Sequence, residues 1–364
     1  MQFICTRCGA RAPVTTLRPA CECGGLYALQ YEGARWDPDK IDRNEWSLFR
    51  YRAFMGLEGD AWKSVTMGEG LTPVIRFDDN VSVKMDYFMP TLSFKDRGAA
   101  ALVAHMAQIG VRKCVQDSSG NAGIAVAAYC ARCGIECEIY VPEGTSPNKI
   151  AMIEAYGARA VGVPGSRDHC ADVCRKKVAQ EGVYYANHVF NPFFYEGTKT
   201  YVFEILEQLG RIPENLFVEL GNGTLFIGVV DALEFLLASG AIDHFPNVVA
   251  VQGEHCAPFA KTIESGSEKL VHITPEPTMA EGIAIGEPAR ADEILAMIRK
   301  HGIEVVTAPE EAILPARARL ARRGIYAEHT TAAALAAYDR YCEKHGSTPD
   351  ALLSMCSAGI KSDH

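Results

Sequence analysis

The sequence predicts an α/β protein built on parallel sheets, and three observations carry that prediction. From residue 113 onward short apolar runs alternate with longer segments of helical period, the pattern of helices laid on the faces of a parallel sheet. Two of the strands end in polar, glycine-bearing turns that open directly into helices. With 364 residues, 48% hydrophobic and 22% charged, the chain has material for about two domains and a large buried core.

The elements follow in order. Cys5-x-x-Cys8 and, twelve residues on, Cys21-x-Cys23 with Gly24-Gly25 form two close cysteine pairs on turns. Such pairs place four thiolates tetrahedrally around a structural zinc, or stand as four reduced thiols; the one-residue spacing of the second pair departs from the usual two. Residues 33 to 64, with Trp36, Trp46, Phe49, Tyr51 and Phe54 irregularly spaced, read as an arm wrapped on the body. Met67 to Val74 is a loop into a strand, and Val81 to Met85 alternates as a second strand. The helix that begins at Lys95 runs to about Gln108 and stops near Gly110. Strands are predicted at Lys113–Gln116, Glu136–Val141, Ala158–Val163, Val183–Ala186, Leu216–Leu220, Val248–Val251, Ile303–Thr307 and Ala351–Met355. Helices are predicted at Ile124–Arg132, Pro147–Tyr156, Arg167–Gln180, Thr198–Leu209, Leu225–Leu237, Ala291–His301 and Pro309–Arg323, and another opens at Glu328. Asn191 to Gly197 reads as a connection, and Pro275 to Pro288 as a long loop.

Composition narrows the function. A net charge of −9 argues against a nucleic-acid binder, which needs a basic field. No apolar run approaches the roughly 20 residues that span a bilayer, and Met1 to Cys8 carries no charged-then-apolar leader. Thirteen cysteines, an odd number, read as reduced thiols plus the metal pairs, so a cytoplasmic protein is expected. Cys130, Cys133 and Cys137, and Cys170 with Cys174, read as small apolar core residues.

Lys95 sits in Ser93-Phe94-Lys95-Asp96-Arg97-Gly98, followed by Ala99, Ala100 and Ala101. An ordinary lysine there is solvated. Ser93 and Phe94 would instead draw the Lys95 stem inward, and a lysine held neutral condenses with an aldehyde. Asp117-Ser118-Ser119-Gly120-Asn121-Ala122-Gly123 is a turn between strand and helix suited to an anion such as a carboxylate, or a polar cap without a ligand. Gly221-Asn222-Gly223-Thr224 is the second such turn and suits a phosphate. It is neither a Walker loop nor a dinucleotide fingerprint, since Phe226 stands where the third glycine belongs.

Together these residues describe a pyridoxal phosphate site, and there the chain resembles the threonine synthases and, more widely, the tryptophan-synthase-β-like (fold type II) pyridoxal enzymes. The likeness extends to Gly68-Glu69-Gly70-Leu71-Thr72-Pro73, Glu196-Gly197-Thr198-Lys199-Thr200 and Glu328 to Leu335. It implies two parallel-sheet domains, 33–97 plus 199–364 holding the cofactor and 98–198 smaller, after a zinc-ribbon-like segment, 1–32. It implies that Lys95 holds pyridoxal phosphate and moves protons, and that Asn121 meets the ring oxygen. Ser118, Ser119, Gly120, Asn121 and Ala122 would bind the substrate carboxylate, and Gly221, Asn222, Gly223 and Thr224 the cofactor phosphate. Cys356 or Ser357 would face the pyridine nitrogen. A neutral group there leaves that nitrogen largely unprotonated and weakens the electron sink. Cys5, Cys8, Cys21 and Cys23 would bind zinc, and a homodimer is expected.

The activity implied is a lyase reaction on an amino acid, O-phosphohomoserine to threonine first. Four departures bear on substrate: the resemblance expects Gly at Leu92, Asn at Met89 and Arg at both Phe194 and Ala284. A charge-assisted hydrogen bond contributes roughly 1.5–3 kcal/mol, so two lost arginines weaken phosphate binding by about two to four powers of ten. Arg97, Lys149, Arg159 and Arg167 are the candidates to compensate. The alternatives are a β-eliminating or β-replacing enzyme (ammonia-lyase or cysteate-synthase-like) on a shorter or unphosphorylated amino acid, and a non-catalytic zinc-ribbon binding protein.

Overall fold

A computed structural model describes residues 1–33 and 35–361, so the last three positions of the larger expected domain lie outside the described residues. In chain order the elements are β1 (Gln2–Cys5), β2 (Arg11–Ala12), β3 (Tyr27–Gln30), β4 (Val74–Arg76), β5 (Val81–Lys84), α1 (Lys95–Gln108), β6 (Lys113–Gln116), α2 (Asn121–Cys133), β7 (Glu136–Pro142) and α3 (Pro147–Ala155). There follow β8 (Arg159–Val163), α4 (Arg167–Glu181), β9 (Tyr184–Tyr185), α5 (Pro192–Leu209), β10 (Asn215–Glu219), α6 (Thr224–Ser239), β11 (Asn247–Gly253) and α7 (Pro258–Glu264). The chain closes with α8 (Ala291–His301), β12 (Glu304–Ala308), α9 (Glu310–Arg322), α10 (His329–His345) and β13 (Ala351–Ser354). It divides into two compact units: Met1–Leu71 with Lys95–Thr200, and Thr72–Phe94 with the chain from Tyr201 on.

The first unit holds a small antiparallel sheet, β2-β1-β3, and a parallel one, β8-β7-β6-β9. The arm between them in sequence makes short 3-10 turns at Pro38–Lys40, Leu48–Phe54 and Ala61–Ser64. Sequence analysis assigned residues 33–71 to the larger domain; they fall in the first unit instead. The reason is packing: Leu48, Phe49, Met55, Trp62 and Val65 share one core with Ala99–Ala104 of α1 and Ile124–Ala127 of α2. The alanine run is a buried face that lets neighbours approach closely.

Helix α5 begins at Pro192, six residues before its predicted start. Proline fits a first helical turn because its missing N–H would be unsatisfied there anyway, and Asn191 Oδ1 accepts the Phe193 amide at 3.0 Å. The early start drives α5 against α1. A Cβ on Gly197 would overlap the Arg97 carbonyl oxygen, and a Cβ on Gly98 would overlap the Phe194 ring. Arg97, fully buried, donates from Nη1 to Thr200 Oγ1 at 3.0 Å and pins the same crossing.

The second unit is built on one six-stranded sheet, β12-β11-β10-β13-β5-β4, parallel except for β4. Phe217, Val249, Val251 and Leu353 cover one face together with Ile313, Leu320 and Leu335 of α9 and α10. Helix α7 is absent from the sequence reading. The long loop is real apart from a single 3-10 turn, Glu281–Ile283.

Gly197→Ala forces backbone against backbone, so it should cost about 3 kcal/mol or more of unfolding free energy, read from denaturant midpoints at constant m.

Candidate active site and thiol centre

Lys95 is the first residue of α1 and half-buried. Its neighbour in charge is His188, which lies buried with its ring edge-on to Phe194 at 5.8 Å. Burial first, then the positive charges of Lys95 and of Arg167, hold His188 well below its ordinary range, so the ring is neutral. Phe194 is itself fully buried in the core of the first unit.

The turn after β6 carries Ser118, buried, and Ser119, Gly120 and Asn121, half-buried, with Ala122 just inside α2. Gly123 is obligatory, since a Cβ would run into the Ser118 carbonyl oxygen. Gly120 caps α2 without a side-chain hydrogen bond. Gln116, the last residue of β6, is fully buried with neither amide atom partnered.

Glu69 braces this unit from the preceding loop. Its carboxyl accepts from the Met67 amide at 2.7 Å, Thr66 Oγ1 at 3.1 Å and Tyr129 Oη at 3.2 Å. Burial pushes it up to about 7 against the pull of those donors, and Asp96 adds to the rise. This is what Glu contributes to the Gly68-Glu69-Gly70 stretch: it ties the loop to α2.

In the second unit the carboxyl ends of β10 and β13 lie side by side, where open parallel sheets bind ligands. The Gly221–Thr224 turn leaves β10 there. Gly223, at φ +79°, caps α6 with no side-chain bond, and a Cβ on Gly221 would come within 2.8 Å of Ile283 Cα. Ala284 follows Ile283 on that loop and is half-buried. Beyond β13, Cys356 Sγ donates to Glu219 Oε2 at 3.2 Å, and Ser354 Oγ donates to the same oxygen. Ser357 Oγ donates to the Leu92 carbonyl at 3.1 Å. Glu219 was not singled out from the sequence.

Leu92 explains the glycine that the resemblance expects there. It stands at φ +61°, the left-handed region where a branched side chain is strained. Its backbone is fixed by the Met89 carbonyl and by the amide of Ala358. Phe94, the residue before Lys95, donates its amide to the Cys356 carbonyl at 2.8 Å.

The N-terminal cysteines do converge. The four sulfurs of Cys5, Cys8, Cys21 and Cys23 lie within 4.8 Å of one another, with Cys5–Cys23 at 3.5 Å and Cys8–Cys21 at 3.7 Å. Tetrahedral zinc with bonds of about 2.3 Å needs sulfurs about 3.8 Å apart. The short second spacing works because Gly24 turns at φ +79° and Gly25 leaves room; a Cβ there would sit 2.6 Å from Cys5 Sγ. The Cys8 amide draws the Cys5 thiol down to about 6. The Ala10 amide draws on Cys8, yet the facing thiols of Cys23, Cys5 and Cys21 push it up to about 12. Four such sulfurs ionise together only around a cation. The ribbon is seated on α1, where His105 Nε2 meets the Val14 carbonyl at 3.0 Å and stacks on Phe193 at 3.6 Å.

A buried trio also forms, but from Cys114, Cys130 and Cys137. Cys133 turns instead to the Cys130 carbonyl. The three lie in the apolar core of the first unit with their sulfurs within 4.8 Å of one another.

The pyridoxal-phosphate dependent enzyme profile matches residues 65–357 of this chain. Threonine synthase of Methanocaldococcus jannaschii is 30% identical over 355 residues, covering 93% of this chain and 87% of that protein. Threonine synthase of Methanosarcina acetivorans is 31% identical over 346 residues, covering 91% and 84%. Among solved structures, a threonine deaminase from T.th. aligns with a TM-score of 0.70 at 25% identity, covering 84% of this chain and 97% of that one. Maize serine racemase aligns at 0.69 with 19% identity, over 80% and 88%, a likeness of fold.

Two outcomes follow. Metal analysis should find about one zinc per chain; Cys8→Ser should lose it and lower the melting temperature, with turnover per folded chain little changed. Glu69 has an ordinary value of 4.5 and is raised in the fold, so its stabilising protonated form is fully present below that value and is lost as pH rises through about 7. Glu69→Gln stays neutral, so between about pH 5 and 8 the variant should gain about 2–3 kcal/mol on the wild type in denaturant unfolding.

Proposed function

Because the chain belongs to the pyridoxal-phosphate-dependent enzyme family, we propose that it catalyses elimination or replacement on an amino acid, with O-phosphohomoserine to threonine as the first candidate. One paired observation carries the reading. Each of two parallel strands, β6 and β10, ends in a buried polar side chain with an unpartnered atom, Gln116 and Glu219. Each strand then passes through a glycine turn into a helix with no side-chain cap. Buried polar atoms left bare are costly, and uncapped helix starts favour anions. Each turn, in its own unit, offers a place for an anionic group beside a bare polar atom. Gly221 and Gly223 let the second turn pack closely against Ile283 and Ile294.

Pyridoxal phosphate, when bound, supplies an aldehyde that takes up amines and a conjugated ring that accepts the electron pair of a bond broken at Cα. The rest falls to this chain. Gly221, Asn222, Gly223 and Thr224 hold the phosphate through backbone amides and the threonine hydroxyl. Asn121 donates to the ring oxygen. Ser118, Ser119, Gly120, Asn121 and Ala122 orient the substrate carboxylate at the start of α2. Lys95 ties the cofactor down and, once displaced by the substrate amine, takes the proton from Cα and returns it later. His188, neutral and buried, adds no positive charge beside Lys95. Cys356 would face the ring nitrogen, a reading favoured by the Ser357 hydroxyl being donated to the Leu92 carbonyl.

The substrate rests on fewer supports. Curated threonine synthases as relatives favour O-phosphohomoserine. Of the compensating cations, Arg97 is given to Thr200, Arg159 lies 3.5 Å from Glu138, and Lys149 stands half-buried on α3. Arg167 is exposed and shares the surroundings of His188 with Lys95, so it is the cation we assign to a substrate phosphate. A second reading, β-elimination or β-replacement on a shorter or unphosphorylated amino acid, is favoured by Phe194 and Ala284, where a ring and a methyl stand in place of expected arginines. A homodimer in the cytoplasm belongs to the same proposal. No helix among the described residues is long and apolar enough to cross a membrane.

Phosphate release from O-phosphohomoserine, set beside ammonia release from serine and threonine, separates the two readings. Lys95→Ala should lower turnover on whichever substrate is used by at least about 10²-fold. It should also abolish borohydride fixation of the cofactor to the peptide containing residue 95. Fixation elsewhere, or retained turnover, would overturn the assignment.

A further inference from the structure

The group at the ring nitrogen determines how strongly the cofactor draws electrons, and in this chain that group does not stand alone. Cys356 is buried, and its S–H is directed to Glu219 Oε2 at 3.2 Å. A hydroxyl or thiol that is free to turn donates its proton to a neutral pyridine nitrogen. A thiol whose proton is committed to a carboxylate has only sulfur lone pairs to offer in other directions. Such a sulfur pairs with a nitrogen that carries a proton.

The carboxyl itself points the same way. Ser354 Oγ and Cys356 Sγ both donate to Oε2, an arrangement that suits a carboxylate, yet Oε1 is buried with no partner. The other titratable group set against Glu219 is Asp86, a further carboxyl, whose oxygen Oδ1 takes the Thr72 hydroxyl at 2.7 Å. Lys84, on the adjoining strand end, is spent on Glu204 at 2.7 Å. An ionised, half-bonded carboxylate in such a place needs a positive charge close by. Without one, burial pushes Glu219 up to about 7.

Resting on the functional reading above, we propose that Glu219, acting through Cys356, keeps the cofactor's ring nitrogen protonated. The proton balance is simple. Glu219 enters as the acid and gives its proton to Cys356 sulfur as the Cys356 S–H proton passes to the ring nitrogen. The result is a carboxylate and a charged ring with the thiol neutral between them. This reverses the expectation that a neutral group at this position leaves the ring unprotonated. A protonated ring is the stronger electron sink, which suits removal of protons from both Cα and Cβ of an amino acid whose leaving group is on Cγ. Glu219 would thus be a positioning residue: it touches Cys356, and Cys356 would touch the ring.

The test uses the full chain loaded with pyridoxal phosphate labelled with nitrogen-15 in the ring. In the wild type the ring nitrogen should resonate at the position of a protonated pyridine across pH 6 to 9. In Glu219→Gln it should move to the unprotonated position, and in Glu219→Asp it should return. Turnover of Glu219→Gln should fall by about 10²-fold, with KM changed less than about threefold. A wild-type resonance already at the unprotonated position overturns the proposal without any variant. So does a Glu219→Gln resonance that stays protonated. A wild-type chain that gains no visible absorbance from the cofactor would overturn the functional reading and the proposal together, and that outcome is distinct from the first two.

Discussion

The first unit depends on how closely α5 can approach α1. At Gly197 the backbone of one helix lies on the carbonyl of Arg97 in the other, and Gly98 opens the matching hollow for the Phe194 ring. Everything asked of Lys95 follows from that contact. The residue opens α1, so its direction is the direction of a helix held by close-packed backbone rather than by long, adjustable side chains. The zinc ribbon bears on the same pair of helices through His105 and Phe193. A metal held by those four cysteines, far along the chain from the lysine, would therefore support the helix that carries it.

Two buried carboxyls, each pushed to about 7, show how one physical cause serves two ends. Glu69 is surrounded by three donors and fastens a loop; its charge has no further task. Glu219 has both of its donors on one oxygen, and the other oxygen is bare. The desolvation is alike, but the hydrogen-bond inventory differs, and the inventory distinguishes a brace from a group awaiting a partner.

Much of this was legible in the chain. Strand and helix periods placed the parallel sheets, and the segment Ser93 to Gly98 with the two glycine turns identified the cofactor class, because that chemistry leaves local, contiguous signatures. What failed to show was long-range. The arm at 33–64 has no period of its own and is positioned by long-range contacts with α1, α2 and Glu196 of α5. Pro192-Phe193-Phe194 reads as a break, although proline is at home in a first helical turn. Glu219 stood unremarked inside the expected strand Leu216–Leu220, and its partners lie 135 and 137 positions away. One local signal was present: a lone carboxyl within Leu216-Phe217-Val218-Glu219-Leu220 is an expensive choice for an otherwise apolar strand.

Phe194 carries a consequence for descent. The resembling family expects an arginine there, and restoring it looks from the sequence like one substitution. The ring, however, fills the hollow over Gly98, meets His188 edge-on and has no exposed surface. A guanidinium placed there would be an unpaired charge in a closed core, so the reverse step cannot be taken alone. The ring and its surroundings are matched to one another, so an arginine at position 194 needs changes at its neighbours as well.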